Sequence, residues 1–183
     1  MESMFEPFTL NTLGLVNRFV FPPIKLAYGT PDGKVTERQL LFYQQIAEEG
    51  PAVVILEPVP VTLEGKEHPR QLCVHLPESA TELKKIVEVI HKEGRLACLH
   101  LNHAGAAANP MATGTKPRAP SVITCPMSGQ ESKPLSEGEI KMIIAGYRSA
   151  AQKAAAAGFD LVEIQAGHGY LVSQFLNAKI NKR

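Results

Sequence analysis

Residues 51–60 read PAVVILEPVP. Positions 52–56 are apolar without alternation and rich in β-branched side chains, the pattern of a strand buried on both faces of a parallel sheet. Glu57 and the prolines Pro58 and Pro60 close the run, because proline cannot donate to a sheet ladder. A strand of this kind needs helices on both sides of it in the chain, and the flanking sequence supplies them.

Upstream, Thr36-Glu37-Arg38-Gln39 reads as a capping box, with Leu40, Phe42, Tyr43 and Ile46 following at helical spacing until Gly50-Pro51 ends the segment. Before it, residues 17–21 (NRFVF) form a short β-rich run closed by Pro22-Pro23, and Asp32-Gly33 marks a turn. Downstream, a second helix begins after Pro77, carries Leu83, Ile86, Val87 and Ile90 on one face and stops at Gly94. Residues 96–101 make a third strand. A second capping box, Ser136-Glu137-Gly138-Glu139, opens a long helix whose expected buried stripe is Ile140, Ile143, Ile144, Tyr147, Ala151 and Ala154. Gly158 ends that helix and residues 161–164 make a fourth strand. The resulting order, β-α-β-α-β, a long excursion, then α-β, predicts parallel strands joined by right-handed crossovers. Functional groups then belong at the C-terminal ends of the strands. The excursion, residues 104–133, is rich in Pro, Ala, Gly, Ser and Thr, and a connection of that length is commonly functional.

Composition bounds the function. The chain has 183 residues, 19 Lys plus Arg against 18 Asp plus Glu, and 44% hydrophobic residues. The net charge of +1 argues against a polyanion-binding surface, so no nucleic-acid partner is expected. The start, MESMFEPF, lacks a basic leader and a long apolar run, so no membrane partner is expected and the expected compartment is the cytoplasm. Cys73, Cys98 and Cys125 are odd in number and widely spaced, which gives neither a disulfide framework nor a CxxC metal knuckle.

Four strand ends carry the candidate chemistry: Pro22-Pro23-Ile24-Lys25 with Tyr28 beyond, Glu57-Pro58, the run HLNHAG (100–105), and the run QAGHGY (165–170). Small residues beside polar ones there let a flat ligand approach the backbone closely. One reading of the histidines is a zinc-like site built from His100, His103 and His168. Against it, His100 and His103 need not converge and no Asp or Glu completes the set, so no metal is expected.

The stretches NRFVFPPIK (17–25), HLNHAG (100–105), RAPS (118–121), LSEGEI (135–140) and AGFDLVEIQAGHGYLVSQFL (157–176) resemble the N-terminal half of the old yellow enzyme family, the FMN-dependent NADH:flavin oxidoreductases and NADH oxidases. The resemblance implies a TIM-type (β/α)8 barrel fold, of which residues 1–183 would be about the first four β/α units of one FMN-binding domain. It implies FMN as cofactor, NADH or NADPH as reductant, and a small-molecule substrate such as an activated alkene.

By the same resemblance, Pro22, Pro23, Ile24 and Lys25 would lie along the flavin, with Lys25 in a place the family commonly gives to Thr or Cys. An ammonium there would stabilise the anionic reduced ring. Pro58 would match a small residue beside the flavin, and His100 would stand where the family often has Gln at the pyrimidine edge. Gln165 and His168 would match the pair that binds a substrate oxygen, and Tyr170 the proton-donor tyrosine. No cysteine cluster supports the iron-sulfur centre of some longer relatives.

The chain ends at Arg183 within a stretch that the family continues, so the expectation is a half-barrel lacking the later flavin-phosphate loops. Such a half would expose a sheet edge, a possible homo-oligomer contact. The expected function is an FMN oxidoreductase fragment with little activity alone. The alternatives are a non-catalytic half-barrel acting by self-association and, further off, a metal-dependent barrel hydrolase.

Overall fold

The computed structural model describes residues 2–183. From the N-terminus, a hairpin of β1 (Phe8–Leu10) and β2 (Leu13–Leu15) precedes β3 (Val20–Phe21), α1 (Glu37–Glu48), β4 (Val53–Ile55), β5 (Val59–Pro60), α2 (Ser79–Lys92) and β6 (Leu96–Asn102). The chain continues through α3 (Pro110–Thr113), β7 (Arg118–Ala119), β8 (Lys133–Pro134), α4 (Glu137–Ala157), β9 (Leu161–Ile164) and α5 (Leu171–Leu176).

The main sheet is parallel throughout and centred on β6. Val53, Val54 and Ile55 of β4 pair with Leu96, Ala97 and Cys98, and β4 pairs on its other edge with β3. Across the Glu57-Pro58 interruption the same extended run resumes as β5, where Val59 pairs with Leu101 and Pro60 with Asn102. Pro58 has no N–H to give, so the ladder breaks there while the neighbouring Leu56 and Val61 amides still donate to the Cys98 and Asn102 carbonyls. On the far edge, Cys98 to Leu101 pair with Leu161 to Ile164 of β9.

Alternation along the strands divides the core. Val54, Leu56, Leu99 and Leu101 pack outward against Tyr43 and Ala47 of α1, Leu83, Ile86 and Ile90 of α2, and Ala150, Ala154 and Ala157 of α4. Val53, Ile55 and Cys98 face the other way, where Leu15 of the β1–β2 hairpin closes over them. The helices begin where the sequence places them. Thr36 with Gln39 and Ser136 with Glu139 both form complete capping boxes, and α4 ends at Gly158, which takes the left-handed conformation (φ 93°).

One expectation changes. The buried stripe of α4 is Ala150, Ala154 and Ala157, whose small side chains let the helix lie close to the sheet. Ala154 of the expected stripe is in the core, and Tyr147 and Ala151 pack against it, whereas Ile140, Ile143 and Ile144 turn toward Ile164, Leu171, Val172 and Phe175 and form an apolar groove with Tyr147 at its edge. The outer face of β9 is open in the same direction, with Val162 and Ile164 exposed. The period of an amphipathic helix marks which residues share a face, but not whether anything covers that face.

The excursion after β6 is structured by local pairs. Lys133 and Leu135 amides donate to Pro117 and Ala119 carbonyls, and Ser132 Oγ donates to the carbonyls of Ser121 and Ile123. The last residues pack on it, with Arg183 donating to the Leu135 carbonyl and the Lys182 amide to Ser121 Oγ. Among the described residues, no helix is long and apolar enough to cross a membrane.

Ser136→Ala removes the side chain that accepts from the Glu139 amide, so it is expected to lower stability by about 1 kcal/mol, read as a lower urea midpoint at unchanged slope.

Candidate active site

Parallel pairing brings the C-terminal ends of β3, β4 with β5, β6 and β9 to one side of the sheet, and a single buried carboxylate ties three of them together. Glu67, whose side chain is only 4% exposed, lies 2.7 Å from Lys25 Nζ through Oε2. The Tyr170 hydroxyl donates to the same oxygen at 2.7 Å, and Asn102 Nδ2 donates to Oε1 at 3.4 Å. Lys25 follows β3, Asn102 ends β6 and Tyr170 follows β9. Glu67 was not legible as a site residue, because it sits in a charged loop, EGKEHPR, with no spacing that singles it out.

This arrangement changes the electrostatics expected of Lys25. Its ammonium is not a lone positive charge, since the Glu67 carboxylate beside it offsets its field. Tyr170 is pushed above the ordinary phenol value, first by burial and then by its bond to Glu67, so its proton is held firmly.

His100 extends from β6 on the same face as Cys98. Its Nδ1 meets the Glu163 carboxylate on β9, while Nε2 is buried without a partner. Burial lowers its pKa, which favours the neutral ring. A proton on Nδ1, facing the carboxylate, leaves Nε2 as an unused acceptor. Asn102 Oδ1 is a second buried acceptor without a partner. Pro22 and Ile24 are exposed beside Lys25, Pro23 is half-buried, and Pro58 is buried with its carbonyl accepting from Gln71 Nε2 at 2.6 Å. An apolar platform beside unsatisfied acceptors suits a flat heterocycle with N–H groups, so these residues fit the cofactor that the sequence implies.

Gln165 and His168 lie together in the turn after β9. The Gly167 amide donates to Gln165 Oε1 at 2.8 Å, which orients the side-chain amide so that its Nε2 meets His168 Nδ1 at 3.2 Å. Because an amide nitrogen can only donate, Nδ1 accepts, and the proton of the neutral imidazole sits on Nε2. His168 therefore offers an exposed N–H. Its own backbone is left-handed (φ 55°), as is that of Gly169 (φ 71°), a conformation that costs energy at a non-glycine residue. Buried Gln174 holds this turn, donating from Nε2 to the Gly169 carbonyl at 2.6 Å and accepting from the Ala106 amide at 3.2 Å.

Two further acid-base groups stand apart. Glu57, fully buried at the break between β4 and β5, accepts from Gln39 Nε2 at 2.5 Å, and its amide donates to the Tyr43 hydroxyl. Burial raises its carboxyl from the usual 4.5 to about 7. His103 leaves β6 on the opposite side from His100 and lines a separate cavity under the excursion with Thr62 and Glu139. The three imidazoles considered for a metal thus do not share one site. Among the described residues, no group of three or more His, Cys, Asp and Glu side chains is gathered to hold an ion.

Comparison with known proteins gives a consistent picture. Residues 3–183 match the NADH:flavin oxidoreductase / NADH oxidase family. An NADPH dehydrogenase of Clostridium acetobutylicum is 32% identical over 180 residues, covering 98% of this chain and 52% of that protein. A metal reductase of Desulforamulus reducens is 34% identical over 183 residues, covering the whole of this chain but 27% of the relative. Among solved structures, the old yellow enzyme homologue of Zymomonas mobilis superposes with a TM-score of 0.92 at 27% identity, over 99% of this chain and 53% of that one. The chain therefore spans about half the length of the Clostridium relative, and its parallel sheet with flanking helices corresponds to about half of a (β/α)8 barrel.

Two substitutions test the electrostatics. Glu67→Gln removes the negative charge from the Tyr170 hydroxyl, so the phenol is expected to ionise at lower pH, read as tyrosinate absorbance against a Tyr170→Phe background; an unchanged titration would contradict the assignment. For Glu57, the raised carboxyl means that the folded protein holds this proton more tightly than the unfolded chain does. Stability is therefore expected to fall as the pH rises from 4.5 through 7, where the cost of a buried charge becomes complete. Glu57→Gln is expected to flatten that slope, with a gain above neutral pH of at most about 3 kcal/mol in urea unfolding.

Proposed function

The chain belongs to the NADH:flavin oxidoreductase / NADH oxidase family, and on that premise we propose that it forms the substrate-facing part of an FMN-dependent oxidoreductase of old yellow enzyme type. The observation that carries this reading is the exposed Nε2–H of His168, oriented by Gln165, beside the protonated, Glu67-held phenol of Tyr170. The chemistry that bound FMN would supply is two-electron transfer from NADH or NADPH to an acceptor, such as an alkene conjugated to a carbonyl. Pro22, Pro23, Ile24, Lys25 and Pro58 would form the wall for the ring system, and the free Nε2 of His100 would accept from its polar edge.

The side chains then divide the work on the substrate. His168 Nε2–H donates to the carbonyl oxygen, and this bond strengthens as that oxygen gains negative charge, while Gln165 fixes the tautomer and direction of the ring through Nδ1. Tyr170 gives its proton to the substrate carbon. To do so its hydroxyl turns from Glu67 toward the substrate. The proposed compartment is the cytoplasm, in keeping with the free thiols of Cys73, Cys98 and Cys125. The proposed domain is the N-terminal portion, residues 1–183, of a single FMN-binding barrel.

A second reading is favoured by the apolar groove between α4, β9 and α5: a half-barrel that acts by associating with another copy across its open edge. The visible spectrum after mixing with excess FMN and desalting separates the two. Stoichiometric flavin bands support the enzyme. Colourless protein of twice the monomer mass supports the second reading. In flavin-loaded protein, Tyr170→Phe is expected to slow reduction of a cyclic enone about 100-fold while leaving reduction of bound flavin by NAD(P)H nearly unchanged, measured by stopped-flow absorbance.

A further inference from the structure

A cavity of about 580 Å³ lies on the other side of β6 from His100, and none of the candidate active-site residues lines it. Its floor is the turn after β5, with Thr62 and Glu64, together with His103 at the end of β6. Lys116, Arg118 and Lys133 of the excursion, with Leu135 between β8 and α4, roof it, and Glu139, Met142 and Ile143 of α4 form its wall. All of these elements meet within the described residues.

The polar atoms of the floor are incompletely used. His103 is 1% exposed, and its ring lies so close to Gly65 that a Cβ there would sit 2.8 Å from Cγ and Cδ2. Its Nδ1 accepts from the Gly105 amide at 3.1 Å. Burial lowers the imidazole to about 4, so it is neutral at physiological pH. With Nδ1 accepting, the proton resides on Nε2, and that buried N–H has no partner. Thr62 repeats the pattern. Its methyl Cγ2 packs against Gly146 of α4, where a Cβ would come within 2.9 Å, and its buried Oγ1 is also without a partner. Two unsatisfied polar side chains in the floor of one cavity are costly unless something fills it.

The hydrogen-bond donors of the lining indicate what that is, because Lys116, Arg118 and Lys133 are balanced by Glu64 and Glu139 with Glu131 at the rim. Arg118 already pairs with Glu139, and Lys116 with Glu131 at the rim. Lys133 has no ion-pair partner among the described residues and is the cation available to a ligand. Leu135, Met142 and Ile143 provide apolar surface opposite.

We propose that this cavity binds a small organic oxyanion, a carboxylate or a phosphate ester, with its oxygens on His103 Nε2–H, the Thr62 hydroxyl and Lys133 and its apolar body on Leu135, Met142 and Ile143. The site is separate from the proposed flavin-side chemistry and does not depend on it.

The test uses the whole chain labelled with ¹⁵N-histidine, titrated with inorganic phosphate and with hexanoate at constant ionic strength set by potassium chloride. The expected result is a saturable shift of the His103 Nε2 resonance, with the affinity weakened about tenfold in Lys133→Ala by loss of one charge-assisted hydrogen bond. Lys133 is exposed, so its removal leaves the fold intact, and Thr62→Val is expected to weaken binding in the same direction. Saturation by phosphate alone assigns a phosphate ester, and by hexanoate alone a carboxylate. No saturable shift with either probe, or equal affinity in Lys133→Ala, overturns the proposal.

Discussion

Strand β6 is buried on both faces and has a strand on each edge, so its backbone groups must be satisfied within the sheet. That requirement places β4 and β5 on one side of it and β9 on the other, in parallel register. It also draws α2 and α4 over the outward face, where Leu99 and Leu101 are fully buried. The break at Glu57-Pro58 is tolerated because the ladder resumes after one extra residue on that side, four residues from Ile55 to Val59 against three from Cys98 to Leu101. The helices, the inner hairpin and the strand-end loops are all positioned by this one ladder.

The same strand separates two kinds of chemistry. Cys98, His100 and Asn102 point to the inner face, where His100 meets Glu163 of β9 and Asn102 meets Glu67. His103, one residue past the strand, goes to the outer side and under the excursion. Each histidine has one ring nitrogen engaged and the other buried without a partner, but their partners differ. A carboxylate opposite His100 leaves an acceptor free, whereas a backbone amide opposite His103 leaves a donor free. The two sites should therefore prefer ligands of opposite hydrogen-bonding character.

Glu67 organises the inner site. A carboxylate that is almost completely buried is tolerated because Lys25 supplies the opposite charge and Tyr170 and Asn102 supply hydrogen bonds. The result is a tyrosine held protonated beside a lysine whose charge is already balanced. The left-handed turn at His168 and Gly169, secured by Gln174, then sets the imidazole and the phenol in adjacent positions.

The sequence by itself determined the four parallel strands, the three long helices and their two capping boxes. Those features are written in local signals: an unbroken apolar run, a 3.6-residue period, a hydroxyl three residues before Gln or Glu. It also placed Lys25, His100, Gln165, His168 and Tyr170 at strand ends, because parallel topology sends those ends to one side. Only the tertiary structure decided that Glu67 joins Lys25 to Tyr170, a contact between residues 103 positions apart in the hydroxyl bond. It alone decided that His100 and His103 part company, and that Ile140, Ile143 and Ile144 line an open groove rather than a covered core. Local periodicity states what a residue can face, whereas burial, ion pairing and the direction of a side chain depend on what distant segments bring to it.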